Sequence, residues 1–158
     1  MKTRHLFLIL AVCSAALAQP LKLSEPFSRS AVIALRAINA TGWALPSSVR
    51  ELEARQAEAQ SKMEEARQAA QSQNDADTFI YLQRYQLRHS QNFADYTNAI
   101  TRTAGRMTGK NTLQRAAERV AKEPRFIARK KKESACAAAL EKKLQSRIFS
   151  PPPACDLY

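Results

Sequence analysis

One histidine remains after residue 18, His89. It is the one side chain there whose ordinary pKa lies near neutrality. A lone histidine among helically spaced apolar residues reads as a hydrogen-bonded core residue before it reads as a base. A hydrolytic triad needs a nucleophile, a base and an orienting group in one pocket. No nucleophile elbow, glycine-rich phosphate loop or paired-histidine helix announces one. Asp75 and Asp77 have the chemistry of calcium ligands. They lack the glycine-containing loop and distal glutamate of such a site, so they read as helix caps. Glu51, Glu53, Glu64 and Glu65 stand beside Arg and Lys and read as solvated charges. No catalytic residue, metal site or cofactor is expected.

Two other groups carry chemistry. The first is Cys136 and Cys155, an even pair once the leader is set aside, and in an exported protein such a pair favours a disulfide. Spacing supports it. If the last helix ends at Phe149, Cys136 lies about 20 Å down its axis at 1.5 Å per residue. The six steps from Phe149 to Cys155 cover about 19 Å in a polyproline conformation. Both lengths agree within the roughly 5.5 Å between bridged Cα atoms. The alternative is a flexible tail with Cys155 free or bridging two molecules.

The second group is the positive charge. The chain carries +11 at neutral pH, of which Lys2 and Arg4 supply two. From residue 19 to 100 there are 9 basic and 9 acidic residues; from 101 to 147 there are 14 and 4, or +10. Arg129-Lys130-Lys131-Lys132 is the densest point. Such a field attracts polyanions with strong salt dependence. Outside the cytosol those are anionic lipid headgroups, envelope polymers or extracellular nucleic acid. The competing reading is a solvated face that keeps the protein soluble.

The compartment follows from the first 18 residues. Met1 to His5 is positive, Leu6 to Cys13 is apolar, and Ala16 and Ala18 have the spacing a signal peptidase requires. Cleavage after Ala18 would leave 140 residues (158 minus 18). The apolar run is shorter than the roughly 20 residues needed to span a bilayer. An uncut anchor, or a lipoprotein signal using Cys13, are the alternatives.

The elements that must position these groups are helices. Ala, Gln, Glu, Arg and Lys dominate, and three glycines and seven prolines punctuate them. Ser24 and Pro26 open a first helix whose Phe27, Ala31, Ala34, Leu35 and Ile38 share a face, and Gly42 ends it in the left-handed region. Ser48 and Glu51 form a capping box, opening a helix to about Gln73 with a stripe of Leu52, Ala59, Met63, Ala66 and Ala70. Asn74 to Asp77 reads as a turn, with one continuous helix as the rival. Phe79, Leu82, Gln86, His89, Phe93, Tyr96 and Ile100 then form a heptad seam. Asn111 caps a short helix, and a last helix runs from about Arg125 to Phe149 with Leu140, Leu144 and Ile148 on one face. An extended tail follows.

The expected fold is all-α: a helical hairpin, an antiparallel coiled-coil-like pair over residues 48–106, with additional short helices, preceded by a cleavable signal peptide. The divisions are 1–18 signal peptide, 19–149 one helical domain and 150–158 Pro-rich tail. The expected protein is exported, periplasmic or secreted. It is a small basic binding or structural protein of the envelope or extracellular space, without enzymatic activity, with residues 101–147 meeting the polyanion. If residues 48–106 are instead one unbroken helix, the Phe79–Ile100 seam calls for a second copy, a homodimer. The runner-up is a small secreted enzyme or toxin using His89 and basic residues on an anionic substrate.

Overall fold

The computed structural model describes residues 19–43, 45 and 47–156; the leader, Leu157 and Tyr158 lie outside them. In chain order the elements are β1 (Leu21–Lys22), α1 (Glu25–Ala40), α2 (Val49–Ala69), α3 (Gln73–Ala104), α4 (Thr112–Val120), α5 (Pro124–Ser146) and β2 (Ile148–Phe149). The architecture is all-α but for one two-residue antiparallel pair, Leu21 against Phe149 and Lys22 against Ile148. No described helix is long and apolar enough to cross a membrane.

The first helix is the organising element. Its face of Phe27, Ala31, Ala34, Leu35 and Ile38 is fully buried, matching the spacing in the sequence. One side of it receives α2 through Ala59, Met63 and Ala66, small and slender residues that let two backbones approach. Another receives α5 through Leu140 and Leu144, where the Ser28 hydroxyl donates to the Leu144 carbonyl and Arg36 reaches Glu141 at 2.6 Å. Gly42 has φ +63°, the left-handed conformation expected after the helix.

Expected boundaries shift where a stronger local interaction exists. The turn before the seam falls at Ala70 to Ser72, not Asn74 to Asp77. Ser72 takes the cap, and its side chain accepts from Asp75 N–H at 3.2 Å while the Asp75 carboxylate accepts from Ser72 N–H. That reciprocal pair starts α3 and draws Asn74 and Asp77 inside it. At Ser48 the cap receives Glu51 N–H, but the Glu51 side chain returns to Ser47 N–H at 3.0 Å. Ser24 sits at its N-cap and accepts from Ser28 N–H through its carbonyl, but its side chain makes no cap bond, because Asp75 claims its hydroxyl along with its N–H. Asn111 likewise holds the cap position with φ +57° and no side-chain bond.

The long α3 carries the seam. Phe79, Leu82, His89, Tyr96 and Ile100 are buried, while Gln86 and Phe93 are half-buried. Its lower half joins the α1 core, and its upper half forms a second core of Tyr96, Ala99 and Ile100 with Ala116, Val120 and Phe126. Trp43 and Tyr96 each meet Phe126 edge-on and each other at a tilt there, with centroids 5.3 to 6.4 Å apart. α2 packs chiefly on α1, and an open groove separates it from α3, lined by Leu52 and Ala59 on one wall and Phe93 and Thr97 on the other.

The last helix ends at Ser146 rather than Phe149. Arg147 adopts φ +58°, and Ile148 and Phe149 turn into the pairing with β1. Ile148 is therefore 54% exposed while Phe149 is buried. The early stop leaves slack in the tail, which a turn absorbs: Cys155 N–H donates to Pro152 carbonyl at 3.0 Å.

Candidate functional site

The Cys136–Cys155 disulfide closes with Cα atoms 4.7 Å apart, pinning the tail to the middle of α5. This places residues 154 to 156 against a cleft of about 280 Å³ between α3 and α5. One wall is Tyr85, Arg88, Gln91, Asn92 and Asp95, successive turns of α3. The other is Arg129, Lys132, Glu133 and Cys136, successive turns of α5. Steps of three and four put each set on one helical face.

The basic run is divided by that same geometry. All four side chains are exposed, but successive helical residues point about 100° apart. Arg129 and Lys132 turn into the cleft, where Arg129 meets Asp95 at 2.8 Å and Lys132 meets Asp156 at 2.9 Å. Lys130 and Lys131 turn to the opposite flank beside Trp43, Phe126 and Ile127, without an ion-pair partner among the described residues. The cluster expected from the sequence therefore becomes two surfaces.

Below the cleft lies a buried polar network. His89 Nδ1 donates to Glu133, and the same carboxylate receives Trp43 Nε1 at 3.0 Å and Asn92 Nδ2 at 2.7 Å. Burial raises the affinity of Glu133 for a proton, yet the bonds from His89, Trp43 and Asn92 outweigh it and hold the pKa below the ordinary carboxylate value. His89 Nε2 lies 2.5 Å from Thr41 Oγ1. Nearby, Tyr85 donates to Asn39 at 2.5 Å. Burial, with the Glu133 charge adding to it, pushes the Tyr85 phenol well above its usual range.

Thr41, His89 and Glu133 have the connectivity of a hydroxyl–imidazole–carboxylate triad. Their surroundings serve packing instead. The Thr41 hydroxyl is within 2.8 Å of the Ile38 carbonyl, the Thr41 N–H donates to Ile38 and the Gly42 N–H to Asn39. Those amides are spent on the end of α1, so neither aims at a forming oxyanion as acyl transfer requires. The network locks the C-terminus of α1 to α3 and α5, as expected for a histidine in a seam. Among the described residues no group of three or more His, Cys, Asp or Glu is placed to hold a metal ion.

Arg88, Asp95 and Asp156 escape the sequence reading. Arg88 and Asp95 sit outside the apolar seam, about one turn to either side of Asn92, and no pattern marks them. Asp156 carried a signal in hindsight: it follows the bridged Cys155, so it must lie near α5. The fold and cleft define a small, basic, disulfide-strapped all-α protein. Comparison with protein-family models, with curated proteins and with solved structures finds no match for this chain.

Proposed function

We propose that this chain is an exported, non-enzymatic binding protein that attaches to polyanions through the basic segment 101–147. The carrying observation is the flank formed by Lys130 and Lys131, exposed and without carboxylate partners among the described residues, within a segment of net charge +10. Unpaired ammonium groups gain most from a polyanion, because they give up no internal ion pair on binding and release counterions from it. Export rests on the charged, apolar and small-residue succession of residues 1–18, cleaved after Ala18; the Cys136–Cys155 bridge accords with an oxidising compartment. The destination is the periplasm or the extracellular space. Residues 48–106 are read as an antiparallel pair of helices, which the break at Ala70–Ser72 supports, with α1 rather than α3 receiving most of the α2 face. Most of the seam is buried within the one chain, so this reading requires no second copy.

Retention on immobilised heparin, and on vesicles containing an anionic phospholipid, tests it. Replacing Arg129, Lys130, Lys131 and Lys132 by Gln should lower the eluting salt concentration and flatten the dependence of binding on salt. Unchanged retention reduces the basic segment to a solubility feature.

A further inference from the structure

We propose that the cleft between α3 and α5 is a binding site for an acidic group of a small ligand, a phosphate or carboxylate, and that Asp156 occupies it as a tethered internal competitor. The proposal rests on the polyanion reading only for the sign of the ligand's charge. Three cations border the cleft: Arg88 from α3, Arg129 and Lys132 from α5. The chain places a carboxylate among them. Asp156 accepts from Lys132 at 2.9 Å, and both Lys132 and the Arg88 guanidinium hold its carboxyl below the ordinary range.

The placement is enforced. Cys155 is bonded to Cys136 in the wall of the cleft, so the next residue has little choice but to sit at its mouth. The carboxylate of Glu133 is engaged below by His89, Trp43 and Asn92, which leaves the cations facing outward. Asp95 engages Arg129, while Lys132 pairs with Asp156 and the Arg88 charge acts on it without a direct contact. The chain's own carboxylate thus marks the chemistry this surface accepts, and tethering gives it a high effective concentration against any free anion. The pair is solvent-exposed on both sides, so its hold is weak and an incoming dianion can displace it without breaking the disulfide.

Binding of inorganic pyrophosphate to the disulfide-bonded protein at low salt, followed by calorimetry, tests the idea. Asp156→Asn should tighten the dissociation constant about threefold, the scale of one exposed ion pair. Arg88→Gln and Lys132→Gln should weaken it about threefold or more. Arg50→Gln, exposed on α2 and remote from both surfaces, should leave it unaltered, and the double change Lys130→Gln with Lys131→Gln is read on heparin retention alone. Wild-type melting temperatures check that the variants fold. No pyrophosphate binding by either the parent or Asp156→Asn overturns the proposal, as does unaltered affinity in Asp156→Asn or Lys132→Gln. If the Lys130/Lys131 change abolishes heparin retention while the cleft variants bind pyrophosphate like the parent, this inference falls and the polyanion reading stands. If the cleft variants shift as expected while heparin retention never depends on the basic segment, the inference stands and that reading falls.

Discussion

Asp75, in the first turn of α3, receives the backbone N–H of Ser24 at 2.9 Å and its hydroxyl at 2.5 Å, across 51 positions of sequence. The same carboxylate accepts from Gln71 N–H at 2.9 Å. One fully buried side chain thus closes the α2–α3 turn and fastens the start of α1 to it.

Removing that charge should cost stability in a pH-dependent way. Burial favours protonation of Asp75, but the bonds from Ser24, Gln71 and Ser72 outweigh it and lower the pKa. A pKa lower in the folded than in the unfolded state stabilises above the unfolded value, about 4, and the benefit vanishes as pH falls through the folded one. Asp75→Asn should therefore lose about 2 kcal/mol at neutral pH. Urea denaturation as a function of pH checks it: the gap between wild type and variant should narrow below about pH 4. A gap constant down to pH 2 would contradict the assignment.

How much of this was legible in the sequence depended on whether an interaction was local. The α1 face, the left-handed Gly42 and the buried seam follow from spacing along one helix. The disulfide was legible because two cysteines leave a single intramolecular pairing, and it held although the helix ends at Ser146 rather than Phe149, since a turn in the tail takes up the difference. The start of α3 was misplaced by a few residues because Ser72 and Asn74 are both good caps, and the choice belongs to Ser24, which lies far away in sequence. The cleft was illegible for the same reason: Arg88 and Asp95 gain meaning only once α5 and the tail arrive opposite them. The basic run was visible, but not its division, which depends on how α5 is rotated against α3.

The His89–Glu133 pair should prove structural. Glu133 is almost wholly enclosed, and its loss would strand His89, Trp43 Nε1 and Asn92 without an acceptor. Breaking a buried pair from one side costs about 3 kcal/mol. Glu133→Ala should show that loss in urea unfolding and should also change the emission of Trp43, the only tryptophan. His89→Ala should destabilise without removing heparin retention. If His89→Ala leaves stability intact but abolishes an activity on an anionic substrate, the enzyme reading replaces the binding one.

The strap should carry measurable stability. The bridge closes a loop of about 20 residues, worth about 3 kcal/mol in the chain-entropy argument, less any strain. In the chain from residue 19 onward, thiol titration should find no free cysteine. Replacing Cys136 and Cys155 together by Ser should lower the urea midpoint to that of the reduced parent. A dimer that collapses to monomer on reduction would show the bond to be intermolecular.

Arg147 offers a sharper test, because its backbone and side chain act in opposite directions. At φ +58° it occupies a conformation that costs a residue with a Cβ about 1 kcal/mol, and glycine almost nothing. Yet its Nε donates to the Leu23 carbonyl at 3.2 Å, and its carbonyl accepts from Leu23 N–H at 2.9 Å. The side-chain bond is lost in both Arg147→Ala and Arg147→Gly, whereas the strain persists only in the alanine variant. Arg147→Gly should therefore be more stable than Arg147→Ala by about 1 kcal/mol. The absolute position of the glycine variant against wild type measures what the Arg147 side chain contributes, the Leu23 bond together with the exposed Glu25 pair, after the strain is removed. Hydrogen exchange at Leu23 reports the same junction: its amide should exchange faster in the alanine variant than in the glycine one, since the carbonyl of residue 147 is held in place by that left-handed turn. Equal stability of the two variants would mean that the junction relaxes to an ordinary φ at no cost, and that the β1–β2 pairing does not depend on the left-handed residue between α5 and β2.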